Sequence, residues 1–206
     1  MSRLDKTLKF LAEAAPAILQ PGLGKRRKGL AIVIVFCSVA LGTQAQSATE
    51  YQVKAAFLFN FAKFVEWPAD AFASADAPLQ ICVLGQDPFG HDFEQAIEEK
   101  TVIGHRLEII HPSGLPQAKA CQIIFVAASE GPHLREILRA LRGASVLTVG
   151  DSAGFARMGG IINFVLDDSR VRFEINLQAA DRAHVKLSAR LLMVARLIVT
   201  DDETGN

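Results

Sequence analysis

Gln122-Ile123-Ile124-Phe125-Val126 is a run of four apolar residues behind one amide, closed by a Gly131-Pro132 break and followed by a helical pattern from about His133 to Leu141. A strand without polar alternation is buried on both faces, and sheets are buried on both faces when crossover helices cover them. The run therefore predicts a parallel sheet within an α/β layer structure. Upstream, Leu79 to Leu84 is a second short apolar run. It opens into Gly85-Gln86-Asp87-Pro88-Phe89-Gly90, where Asp87 is placed to cap a helix and Pro88 to sit in its first turn. That helix is expected from about Pro88 to Glu99, with a strand at Leu107 to Ile110, a loop from Pro112 to Gln117 and a further strand at Ser145 to Val149.

Beyond Val149 the pattern changes. Gly150 to Gly160 reads as a loop, and Ile161 to Leu166 and Val171 to Asn176 flank Asp167-Asp168-Ser169-Arg170 as a hairpin. Leu187, Leu191, Val194, Ala195 and Ile198 recur at helical spacing, predicting one amphipathic helix from roughly Arg182 to Thr200, with fraying from Asp201. At the other end, Phe57, Phe61 and Phe64 fall on one face of a helix beginning near Glu50 and stopped by Pro68 after Trp67. These elements predict an α/β layered domain, with a mostly parallel central sheet ending in an antiparallel hairpin and helices on both faces. The expected order of the first four strands is 2-1-3-4, with the hairpin added at the end.

The first 45 residues read as an address. Lys25-Arg26-Arg27-Lys28 is a basic region, Leu30 to Leu41 is apolar apart from Ser38, and Thr43-Gln44-Ala45 is a small-x-small cleavage site. An apolar run of about 12 residues is short of the roughly 20 that span a bilayer. A signal peptide over residues 1–45, removed after Ala45, is expected, leaving residues 46–206 as one exported domain in the periplasm. The stretch ahead of Lys25 is long for such a basic region, so a translation start further downstream is also expected. The 206 residues carry 22 basic and 22 acidic side chains, and removing seven basic and two acidic ones leaves 15 and 20, a net charge of −5. An acidic exported domain lacks the clustered cations that phosphate backbones require, so no nucleic-acid partner is expected.

Catalytic readings fail on context. Gly150-Asp151-Ser152-Ala153-Gly154 satisfies G-x-S-x-G, and Asp168 and His184 follow in the order of α/β hydrolases. A nucleophile elbow needs a helix directly after the serine, whereas here more glycine and a strand follow. The same segment has neither G-x-G-x-x-G nor a phosphate-binding lysine, and His91, His105, His111, His133 and His184 are scattered. No catalytic, cofactor-binding or metal-ligating residue is expected. Cys82 and Cys121 survive cleavage, and the expected sheet order makes their strands neighbours, so a disulfide is within reach in an oxidising compartment. Two buried reduced thiols are the alternative.

Lys54-Ala55-Ala56-Phe57-Leu58-Phe59-Asn60-Phe61-Ala62-Lys63-Phe64-Val65-Glu66-Trp67-Pro68 is similar to the opening helix of the YfiR-like periplasmic proteins. So are Gly159-Gly160-Ile161-Ile162-Asn163-Phe164, Arg172-Phe173-Glu174-Ile175-Asn176-Leu177 and Leu187-Ser188-Ala189-Arg190-Leu191-Leu192. The resemblance covers nearly all of residues 50–199. It implies a non-enzymatic α/β periplasmic protein, often a homodimer, that represses an inner-membrane diguanylate cyclase through the cyclase's periplasmic domain. Cyclic di-GMP and biofilm formation are thereby kept low, and an outer-membrane lipoprotein can sequester the repressor. The pairing of Cys82 with Cys121 matches one family bridge. A second family bridge has no counterpart, because Ala156 and Asn163 stand where its cysteines would fall.

The expected partner surface is Arg172 and Glu174 on a hairpin strand at the sheet edge, where backbone groups are free for another chain. A basic stripe of Arg182, Lys186 and Arg190 at i, i+4 and i+8 of the last helix reads as a solvated face or, as part of the partner surface, as a docking stripe for an acidic partner. The alternative is a periplasmic sensory or ligand-binding module serving another signalling protein, with its cleft at the carboxyl ends of the parallel strands.

Overall fold

The computed structural model describes residues 50–68 and 71–198. The expected signal peptide and the fraying after Asp201 lie outside the described residues. Helix α1 spans residues 50–64 and leads directly into β1 (Val65–Glu66). Then follow β2 (Leu79–Leu84), α2 (His91–Ile97), β3 (Thr101–Val102), β4 (His105–Ile110), α3 (Leu115–Ala118) and β5 (Ile123–Val126). A 3-10 segment, Ala128–His133, precedes α4 (Leu134–Leu141), and β6 is Leu147–Gly150. The hairpin is β7 (Ile162–Asp167) with β8 (Arg170–Asn176), after which come α5 (Leu177–Arg182), β9 (Lys186–Leu187), α6 (Ala189–Val194) and β10 (Arg196–Ile198).

The main sheet runs β10-β8-β7-β6-β5-β2-β4-β3. Its first four long strands stand in the expected order, with β2 between β4 and β5 and all three parallel. β5, β6 and β7 continue in parallel, and β7 and β8 pair antiparallel. Asp167 faces Arg170 across the hairpin, leaving a two-residue turn at Asp168 and Ser169. Their φ values of 47° and 61° are those of a type I′ turn, whose twist matches the strands.

All four residues of β5 are buried, and they alternate between two cores. Ile123 and Phe125 face α1 with Leu58, Phe61, Ile81, Val83, Leu147 and Val149, whereas Ile124 and Val126 face α4 with Leu134, Ile137, Leu138 and Leu141. Phe57 and Phe61 pack on Phe164 and Phe173, ring centroids 5.1–6.0 Å apart, so the helix and the hairpin share one aromatic cluster. The segment between β6 and β7 crosses the α4 face without forming a helix and buries Phe155 there completely. Gly150 and Gly160 bracket that ring so closely that a Cβ at either position would overlap it.

Several expectations are corrected. α2 begins at His91, because Asp87 accepts the Phe89 amide within its own turn at 2.7 Å instead of capping the helix. The segment 112–117 holds the start of α3, with Pro116 in its first turn. The helix from Arg182 to Thr200 does not form. Asn176 caps α5 by accepting the Ala179 amide, His184 has φ 53°, and Ser188 caps α6. In place of one amphipathic face, β9 pairs antiparallel with β1 and β10 pairs in parallel with β8. Two caps and a left-handed residue set these boundaries, and strand pairing outweighs an apolar spacing that suits a helix. β8 is consequently an interior strand, with Arg196 opposite Glu174, and no longer the edge expected from the sequence.

Candidate functional site

α1 presents Lys54 on the same stripe as Leu58 and Phe61, at i+4 and i+7, and its burial follows from that position: Lys54 is buried among core residues. Its Nζ lies 2.6 Å from Glu50 Oε1 one turn earlier and 2.7 Å from Asp151 Oδ2. Asp151 is the first residue after β6, at the carboxyl end of a parallel strand. The Tyr51 hydroxyl donates to the same Oδ2 at 2.9 Å. Lys54 Nζ also sits 4.3 Å from the centroid of the Tyr51 ring, a cation–π contact that adds to the fixation of the ammonium. Burial, and then the charge and hydrogen bond of Asp151, push the Tyr51 phenol well above its usual value of 10.

Asp151 Oδ1 is buried and has no hydrogen-bond partner among the described residues. Beside this network a cleft opens between α1, the segment after β6 and the hairpin. Arg157, Asn163, Leu166 and Glu174 line it together with Lys54 and Asp151. Asn163 Nδ2 and Glu174 Oε2 are 3.5 Å apart across β7 and β8. The cleft thus combines a buried carboxylate, a buried ammonium, an exposed guanidinium and an exposed apolar side chain, a surface suited to binding a polar group. It has no arranged nucleophile and base: Ser152 lies in a turn, Asp168 in the hairpin tip and His184 in the turn after α5, and no hydrogen bond joins them.

Glu174 therefore belongs to the cleft, while Arg172 is exposed two residues earlier on β8. The basic stripe is not assembled, since Arg182 ends α5, Lys186 lies in β9 and Arg190 in α6. Cys82 in β2 and Cys121 before β5 form the disulfide, Cα atoms 6.0 Å apart. No group of three or more His, Cys, Asp or Glu among the described residues is placed to hold a metal ion. No helix among them is long and apolar enough to cross a membrane. The expectations missed Tyr51, Lys54 and Asp151 as a unit. One signal was available: a lysine at i−4 and i−7 from core residues must find a counter-charge.

In comparison with known proteins, the sequence model of the YfiR/HmsC-like family matches residues 51–196. Among solved structures, a conserved domain protein from Vibrio cholerae O1 biovar El Tor is 11% identical with a TM-score of 0.42, the match covering 58% of this chain and 54% of that one. The ABC domain from Streptococcus pneumonia in complex with L-Trp is 12% identical with a TM-score of 0.41, over 58% and 55%. The chain spans about half the length of these two structures.

Proposed function

The chain belongs to the YfiR/HmsC-like family, and from that premise we propose that it is a periplasmic regulator that binds the periplasmic domain of an inner-membrane diguanylate cyclase and represses it. The observation that carries the reading is the extent of the family match, from the first turn of α1 to the start of β10. Repression needs no chemistry. A protein that binds the inactive arrangement of a cyclase more tightly than the active one lowers activity by the ratio of the two affinities. The surface we assign to this contact is the cleft rim of Glu174, Arg157 and Leu166 with the neighbouring Arg172. Because β8 is paired on both sides, side chains make this contact and strand addition does not.

Export through residues 1–45 and cleavage after Ala45 belong to the same proposal, supported by the basic-apolar-small pattern there and by the Cys82–Cys121 disulfide. The test is intracellular cyclic di-GMP in the source bacterium with and without this gene, repeated in a strain that also lacks the candidate cyclase. A rise on deletion that vanishes in the double mutant is expected. An unchanged level with both proteins expressed overturns the proposal. A second reading, a module that reads a small ligand, is favoured by the unpartnered Asp151 Oδ1 beside the cleft.

A further inference from the structure

The stretch Leu134-Arg135-Glu136-Ile137-Leu138-Arg139-Ala140-Leu141-Arg142 sorts its residues by helical position. Leu134, Ile137, Leu138 and Leu141 are buried against the sheet. That leaves Arg135, Arg139 and Arg142, spaced four and three apart, in a single stripe beside the buried face. Across a gap from this stripe stands Arg182, the last residue of α5. The four arginines line one cavity of about 180 Å³, floored by Thr148 and Ile161.

No Asp or Glu lines it, the sequence neighbours Glu136 and Asp181 included. The ion pairs of Lys54, His91, His111 and His133 engage none of Arg135, Arg139 or Arg182. Gathering like charges around a concave, partly apolar wall focuses positive potential into the space between them. Guanidinium forks from two elements suit oxygens spread in two directions, as on a phosphate or on paired carboxylates. The volume is below the roughly 300 Å³ of drug-sized pockets, which limits the occupant to a few heavy-atom groups.

We propose that this cavity between α4 and α5 binds a compact small-molecule polyanion carrying two or more phosphate or carboxylate groups. The site is separate from the cleft at Asp151, and its occupancy does not depend on the identity of the partner protein. Because Arg182 ends α5 immediately before the turn to β9, a bound anion ties α4 to the segment that closes the sheet.

The experiment is calorimetric titration of the purified full chain with inorganic pyrophosphate and, separately, with citrate. One saturable site is expected, weakened about tenfold or more by Arg139→Gln and by Arg182→Gln, as loss of a charge-assisted fork predicts, and unchanged by Arg106→Gln on β4. Tighter pyrophosphate identifies phosphoryl chemistry and tighter citrate identifies carboxylate chemistry, either supporting the site. A variant-free readout is phenylglyoxal labelling followed by mass spectrometry, in which pyrophosphate or citrate, whichever binds, protects Arg139 and Arg182 but not Arg106. Absence of saturable binding by both anions, equal affinity in the variants, or uniform labelling overturns the proposal.

Discussion

Lys54 on α1 and Asp151 after β6, 97 residues apart in the chain, meet at 2.7 Å with only 5% of each side chain exposed. This pair, with the Tyr51 hydroxyl on the same carboxylate and the packing of Phe57 and Phe61 on the hairpin, holds the first helix at the carboxyl end of the sheet. Its burial makes it an expensive contact to break from one side, because the surviving charge has no water to return to.

Lys54→Met is expected to destabilise the protein by about 3–5 kcal/mol, the usual cost of leaving a buried charge without its counter-charge, with the Tyr51 hydroxyl still on Asp151 Oδ2. Asp151→Leu should cost less, since Lys54 keeps Glu50 at 2.6 Å. The double variant Lys54→Met/Asp151→Leu should recover part of the Lys54→Met loss. Denaturant midpoints of the three variants check this, and a double variant no more stable than Lys54→Met would argue against the pair as the cause.

Tyr51 is the single tyrosine of the chain, so phenolate absorbance reports on it alone. Its phenol is raised by burial first and by Asp151 second, so the folded state holds the proton more tightly than the unfolded chain does. The stability this contributes is fully present below the usual value of 10 and is lost as pH rises above it. Alkaline titration should show no phenolate near pH 10 and then its appearance together with unfolding. Tyr51→Phe should flatten the alkaline limb of the stability profile.

The Cys82–Cys121 disulfide closes a loop of 39 residues. Chain-entropy arithmetic for that closure gives about 4 kcal/mol, and measured losses for native bridges run about 2–5 kcal/mol. Cys82→Ser/Cys121→Ser should lower the unfolding midpoint accordingly. The native chain should show the same loss under reductant, and the double variant none beyond its own.

Gly160 leaves room for the buried ring of Phe155, and the constraint is space, because only Gly154 and Gly159 in this segment have positive φ. Gly160→Ala should cost about 1–3 kcal/mol through overpacking. Adding Phe155→Leu to Gly160→Ala should return part of that loss, whereas Phe155→Leu alone destabilises by leaving a void. Thermal unfolding of the three variants separates the two effects.

Glu174→Ala and Arg172→Ala are expected to change stability by no more than about 0.5 kcal/mol, as half-buried or exposed substitutions do. Both should nonetheless raise cyclic di-GMP in a strain carrying the proposed cyclase. Stable variants that repress as well as the native chain would remove the cleft rim from the interface.

The sequence by itself determined the sheet from β2 to β8 apart from the two-residue β3 at its edge, which carries no apolar run. Its apolar runs at 79–84, 107–110, 122–126 and 145–149 name strands, of which β5 and β6 are buried on both faces and β4 only in part, and their order follows from right-handed crossovers that leave few alternatives. Asp168 and Ser169 fixed the hairpin, since short polar residues tolerate the left-handed region a tight turn needs. These are local signals, readable within a window of a few residues. The tertiary structure alone decided the C-terminal segment, where apolar spacing suited to a helix yielded to pairing of β9 with β1 and β10 with β8. It alone brought Lys54 to Asp151 and set Arg182 opposite the α4 arginines. Each of those meetings joins residues tens of positions apart, and no periodicity encodes which distant partner a side chain will face once the chain has closed on itself.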